Sequence, residues 1–151
     1  MADSSFGLKI GLEGEREFKR AITDINREMR VLGSEMKLVA SQFDKNDKSA
    51  SALTSRNQVL GKEIEAQKAK IQTLKSALDN SATSFGENDS RTKNWQIQLN
   101  NAQATLNGLE GELKENNSAL SKRIILLFPS LAMRLTVRVM MRKLPLRTLH
   151  I

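Results

Sequence analysis

The sequence predicts an all-α protein built from long coiled-coil-type helices, with a short strand-like arm at its N-terminus. Three observations carry this prediction: apolar residues recur every three or four positions, charges balance over most of the chain, and aromatic residues make up only 4% of the 151 positions. A chain with few large aromatic side chains suits helices that each bury one narrow apolar stripe.

The apolar stripe runs from Phe18 to Leu120 in alternating steps of four and three residues. The mean step of 3.5 is typical of a coiled coil, in which each helix keeps one stripe towards its partner. We call this stripe the seam, and Phe18, Leu53 and Trp95 fall at the same point of its seven-residue frame. The seam comprises Phe18, Ile22, Ile25, Met29, Leu32, Met36, Val39, Phe43, Leu53, Leu60, Ile64, Ile71, Leu74, Leu78, Phe85, Trp95, Leu99, Ala102, Leu106, Leu109, Leu113 and Leu120.

Polar residues occupy three intervening seam positions: Asn57, Gln67 and Asn116. A buried asparagine in a coiled coil commonly fixes the register and the number of helices, at some cost in stability. We expect that role for Asn57, and we expect Trp95 to anchor packing at the start of the third helical block.

Two polar gaps interrupt the seam, and both contain the motif Phe-x-x-Asn-Asp, displaced by 42 residues. The motif predicts turn-prone joints between helical blocks at about 15–43, 49–82 and 90–121, because Asn and Asp favour turns and helix caps. The unit of construction is therefore 42 residues, or six heptads. The predicted joint residues are Asn46, Asp47, Gly86, Asn88 and Asp89.

Two architectures satisfy this pattern. In a rod the helix continues through the joints, and at about 1.5 Å per residue it would span on the order of 150 Å. In a bundle the chain reverses at each joint. The unbroken phase favours the rod and the composition of the joints favours reversal, so we expect helices with joints that can populate either form.

The N-terminal arm is predicted over residues 1–14, where Phe6, Leu8, Ile10 and Leu12 alternate with the period of a half-buried strand. Acidic Glu15 and Glu17 suit a helix start, which we place near residues 14–16. The first residues lack the charged-then-apolar order of a secretion signal, so the sequence predicts a cytoplasmic protein.

The tail, residues 122–151, contains no acidic residue and accounts for the whole net charge of +7. The helical body is neutral, so we expect it not to bind nucleic acid. The tail is consistent with a basic membrane-surface segment. The interpretation favoured by the sequence is instead a shift of reading frame, because acids and heptads disappear together.

The sequence predicts no catalytic residue, metal site, cofactor or enzyme activity. There is no cysteine, and the one histidine is His150, at the end of the tail. Asp44, Asn46 and Asp47 suggest a calcium loop, but Lys48 and Ser49 stand where such a loop needs a ligand and a glycine. We interpret these acidic residues as helix caps.

The run IGLEGEREF near the N-terminus, the joint FGEN and the following Thr92-x-x-Trp95-Gln96 resemble the N-terminal region of tail tape measure proteins from long-tailed phages and prophages of Gram-positive bacteria. The resemblance covers roughly residues 8–120. It implies a long helical protein that lies in the lumen of a growing tail, where tail-tube subunits polymerise around it and its length sets tail length.

The resemblance also implies partners and a location. The expected partners are further copies of the chain, tail-tube subunits and tail-assembly chaperones, first in the bacterial cytoplasm and then in the tail lumen. Because tape measure proteins are much longer, the sequence is expected to be a truncated N-terminal piece. Two alternatives stay open: a generic cytoplasmic coiled-coil adaptor that docks a partner helix, and a small membrane-surface-active protein acting through the tail.

Overall fold

The computed structural model describes residues 4–130 and 133–134. It contains three long helices: α1 Ser4–Gln42, α2 Ala50–Phe85 and α3 Ser90–Leu127. No strand occurs in the described residues, so the predicted all-α class is confirmed. Most of the tail, with His150, and the first three residues of the arm lie outside the described residues.

The strand-like arm is not observed in the described part of residues 1–14, because α1 already begins at Ser4. The alternation of apolar residues that suggests a strand also places Phe6 with Ile10, and Leu8 with Leu12, four residues apart. Residues with that spacing are neighbours along a helix, so the alternation is also compatible with the helix that α1 forms here.

The chain folds back at both joints, and α2 is the helix that packs along both of the others. On the α1 side, Lys62 pairs with Glu35 and Lys70 donates to Asn26, so the two helices run antiparallel. On the α3 side, Gln67 donates a hydrogen bond to the carbonyl oxygen of Ala102, and Asn57, which lies earlier in α2, donates to Asn117, which lies later in α3. These two helices therefore also run antiparallel. The structure thus adopts the reversed form of the two architectures and not the rod.

The core lies along α2, which packs against the middle of α1 on one side and against α3 on the other. Phe18 and Ile22 of α1 belong to one apolar cluster with α2, and the cluster then continues along the α2–α3 interface. Its buried members are Ile22, Ile64, Ile71, Leu74, Ala77, Trp95, Ala102 and Leu106, with Phe18, Leu78, Leu99, Leu109 and Leu113 packed against them. Helices of this composition are held mainly by such apolar burial.

The central helix α2 buries a second stripe besides the seam. Ala52, Val59 and Ala66 are buried at seven-residue spacing, and Ala77 and Ser81 continue the buried surface towards the end of the helix. Two stripes are needed because α2 has a neighbour on each side. The small side chains allow the helix backbones to approach closely.

Candidate functional site: the helix interface and its joints

The structure places every seam residue in a buried or half-buried position. The seam of α2 is the most deeply buried part, because α1 and α3 each cover it from one side. Among the α1 residues whose burial the structure describes, 14–42, only Ile22 and Leu32 are buried, since α1 has a single neighbour. The half-buried seam residues are Phe18, Ile25, Met29, Met36, Val39, Phe43, Leu78, Phe85, Leu99, Leu109, Leu113 and Leu120.

Gln67 lies in the α2–α3 interface with 1% of its surface exposed. Its Nε2 donates to the carbonyl oxygen of Ala102 over 2.7 Å. Its Oε1 is buried and has no hydrogen-bond partner among the residues that the structure describes. A buried acceptor left unpaired costs free energy, so this side chain favours one alignment of the helices at the expense of stability.

Asn57 links the same two helices closer to the start of α2. Its Nδ2 donates to Oδ1 of Asn117 over 2.9 Å, and its Oδ1 accepts from Nδ2 of Asn116 over 3.0 Å. Both polar seam positions of this region, Asn57 and Asn116, therefore bond to each other across the interface. Shifting either helix by one turn would break both hydrogen bonds, so they define the register of α2 on α3.

The first joint, residues 43–49, is held by hydrogen bonds from the start of α2. Ser49 is the N-cap, and its Oγ accepts from the backbone N–H of Ala52 over 3.2 Å. The N–H of Ser49 in turn donates to Oδ1 of Asp47 over 2.7 Å, and this bond lowers the pKa of that carboxyl. The Arg56 guanidinium donates to the carbonyl oxygens of Asp47 and Asp44.

The second joint, residues 86–89, is capped by Asp89. Its Oδ1 accepts from the backbone N–H of Arg91 over 2.9 Å, which caps α3. The Arg91 guanidinium also binds both carboxylate oxygens and lies 3.5 Å above the ring of Phe85. The Arg91 side chain, and next its backbone N–H, lower the pKa of Asp89 to about 2.

A buried hydroxyl pair closes the second joint on its inner side. The hydroxyl oxygens of Ser81 and Thr92 lie 2.9 Å apart, and the Thr92 hydroxyl donates to the carbonyl oxygen of Gly86 over 2.8 Å. Gly86 ends α2 with φ 92° and ψ 157°. This backbone region is essentially restricted to glycine.

The two joints share a motif but use it differently. α1 ends before Phe43, whereas α2 includes Phe85 as its last residue. Asp47 stands three residues before the start of α2, and Asp89 stands directly before the start of α3. Asn46 and Asn88 are exposed. Each joint therefore terminates one helix and caps the next, although the repeat does not place the cap at the same point.

We predict that Gly86→Ala lowers the free energy of unfolding by about 1–3 kcal/mol, because alanine rarely adopts this backbone conformation. A methyl group at this position would meet no other atom within 4 Å, so the cost arises from the backbone alone. Gly111→Ala, at an exposed position inside α3, is the matched control and should raise the free energy of unfolding by about 0.5–1 kcal/mol. Urea unfolding followed by circular dichroism measures both variants. Changes in the free energy of unfolding that have the same sign in both would contradict the role of the Gly86 backbone.

We predict that the cap at Asp89 makes stability depend on acid pH. The folded-state pKa of Asp89, about 2, lies below its ordinary value, so the stabilisation is present above pH 4 and is lost as the pH falls towards 2. Asp89→Asn keeps a capping oxygen but removes the charge, and its melting temperature should fall less over this interval. Thermal unfolding from pH 2 to 6 checks this, with the exposed Asp79→Asn as control; parallel curves for wild type and Asp89→Asn would refute it.

Besides Arg56, two charged residues of α2 are half-buried. Burial, followed by the charge of Glu112, raises the pKa of the Glu63 carboxyl. Burial lowers the pKa of Lys70, whose ammonium donates to Oδ1 of Asn26 over 2.7 Å. No group of three or more His, Cys, Asp or Glu side chains comes together in the residues that the structure describes. The geometry of the interface is suited to helix packing.

Sequence reasoning missed several residues of this interface. Arg56, Arg91 and the Ser81–Thr92 pair hold the joints, and Ala52, Val59 and Ala66 form the second stripe of α2. The second stripe had a signal, namely the seven-residue spacing of its small apolar side chains. The joint contacts had none, because they depend on the reversal of the chain.

The described part of the tail, residues 122–130 and 133–134, is exposed. Within the described residues, no helix has the length and apolar character that a membrane crossing needs. The chain matches no family model, no curated protein and no solved structure.

Proposed function

We propose that this chain is a structural assembly protein that works as a helical spacer and scaffold, as tail tape measure proteins do. One observation carries the proposal: the seven-residue frame continues unchanged across both joints, so that Leu53 and Trp95 are 42 residues apart and both are buried in the interface. A folded-back chain does not require its three helices to share one seven-residue frame, since each helix could begin a frame of its own. A continuous rod does require it.

In this proposal the folded-back form is the form of the free chain. The same seam becomes available to further copies or to tail-tube subunits when the joints open. Each 42-residue unit then adds about 63 Å of helix, and whole heptads can be added without disturbing the seam. The half-buried seam of α1, including Met29 and Met36, supports this use because that surface can still gain contacts.

The test is a reversible lock on the second joint. The hydroxyl oxygens of Ser81 and Thr92 are 2.9 Å apart, so Ser81→Cys/Thr92→Cys places two thiols within reach of a disulfide. The natural sequence has no cysteine, so no other disulfide can form. The reduced and oxidised states of one variant then serve as matched samples.

The readout is assembly of tail-tube subunits of a long-tailed phage, mixed with the chain and measured by electron microscopy. Wild type and the reduced variant should promote tubes, and the oxidised variant should not. Equal tubes from both states would refute opening of the joint, and no effect of wild type would refute the assembly role. Small-angle scattering of the free chain should give a maximum dimension near 60 Å, against on the order of 150 Å for a rod.

A further inference from the structure

The last turn of α3 projects beyond the start of α2. Asn57 of α2 bonds to Asn117 of α3, and the two helices run antiparallel. Ala50, the first residue of α2, therefore lies opposite about residue 124 of α3. Beyond that point α2 offers no surface for α3 to pack against.

The projecting turn is apolar around its whole circumference. Ile124, Ile125, Leu126, Leu127 and Phe128 are consecutive and are each 51% to 79% exposed. At 100° per residue, the four helical side chains 124–127 point in every direction around the helix axis. A groove on another protein would cover one side and leave the rest in water. A lipid phase can cover all of them, and a helix that is apolar all round belongs in such surroundings.

This end of the molecule is also positively charged. Lys122 and Arg123 precede the apolar turn and Arg134 follows it, while the last acidic residue of the chain is Glu115. The first joint lies at the same end, and Asp47 is close enough to Arg123 for the guanidinium to lower its pKa. In that joint the charges of exposed Lys45 and Lys48 balance those of the two aspartates, so the joint does not cancel the positive charge of the α3 end. A second copy brought end to end would meet like charge.

We propose that the end of α3, residues 122–128, docks on an anionic lipid surface. Ile124–Phe128 enter the boundary between headgroups and acyl chains, and Lys122 and Arg123 remain among the phosphates. The apolar turn is about 6 Å long, which matches the 5–10 Å depth of an interfacial helix and is far short of a bilayer. Anionic headgroups add attraction for each basic residue near the surface. This site is independent of the spacer role.

The test is sedimentation of the full chain with vesicles of phosphatidylcholine alone or mixed with phosphatidylglycerol. Wild type should bind the anionic vesicles and should be released by salt. Ile125→Ser/Leu126→Ser/Leu127→Ser should weaken partitioning about 100-fold, since three apolar side chains no longer leave water. Lys122→Gln/Arg123→Gln should weaken it about tenfold or more and should reduce the preference for anionic lipid.

The matched control is Val31→Ser/Leu38→Ser/Ile97→Ser, which removes three equally exposed apolar side chains elsewhere on α1 and α3. It should bind like wild type, and circular dichroism should show the same helix content in all variants. Absence of binding, equal binding to neutral vesicles, or equal loss in the control would each overturn the proposal. So would self-association of wild type that the substitution of residues 125–127 abolishes, because it would assign this end to a second copy.

Discussion

Leu74→Ala should lower the free energy of unfolding by about 3 kcal/mol. Leu74 is 0% exposed and belongs to the cluster in which Ile22, Trp95 and the end of α2 meet. The substitution removes apolar contacts within this cluster and leaves a cavity that rigid helices fill only in part. The loss is large relative to the about 5–15 kcal/mol that usually stabilises a domain.

Leu38→Ala is the matched control because it makes the same chemical change on α1, where Leu38 is 61% exposed. Its effect should stay within about 0.5 kcal/mol. Urea unfolding followed by circular dichroism at 222 nm measures both variants. Similar losses for the two would mean that Leu74 does not lie in the core of the protein.

Gln67→Glu should destabilise the protein at neutral pH by about 3 kcal/mol or more. The new carboxylate would be buried at a position with 1% exposure, and an oxygen would replace the Nε2 that now donates to the carbonyl of Ala102. Burial raises the pKa of such a carboxyl in the folded state. The penalty should be absent below the ordinary glutamate pKa, about 4.3, and should grow as the pH rises from there to the folded-state pKa.

Gln67→Leu is the opposite test at the same site. It removes the unpaired Oε1, and the carbonyl of Ala102 still lies inside α3, where the helix supplies a backbone donor. This variant should be more stable than wild type by about 1 kcal/mol. Chemical unfolding between pH 4 and 8 compares the three proteins. A glutamate variant whose stability deficit does not change with pH would contradict the buried position of this side chain.

The sequence was informative about where helices form and which side faces inwards. The 3.5-residue spacing predicts the seam, and the Asn-Asp motifs predict interruptions close to the observed ends of α1 and α2. Ser49, Gly86 and Asp89 occupy the caps because their side chains or backbone freedom suit helix ends irrespective of tertiary context.

The sequence was less informative about how the helices are arranged. A heptad frame is compatible with both a rod and a bundle, so reversal at the joints depends on contacts such as Ser81 with Thr92, which no local pattern encodes. The second stripe of α2 is built from Ala52, Val59 and Ala66, whose small side chains give a weak apolar signal. The N-terminal alternation is ambiguous because a period of two also yields pairs four residues apart.

The three antiparallel passes have a consequence for chain polarity. Because their number is odd, the polypeptide enters at one pole of the molecule and leaves at the other, with the start of α1 near the second joint and the end of α3 near the first. The start of α1 and the end of α3 are therefore separated along the axis by about 57 Å, the length of a single 38-residue helix. Copies fused head to tail would extend along one axis, each contributing the same increment.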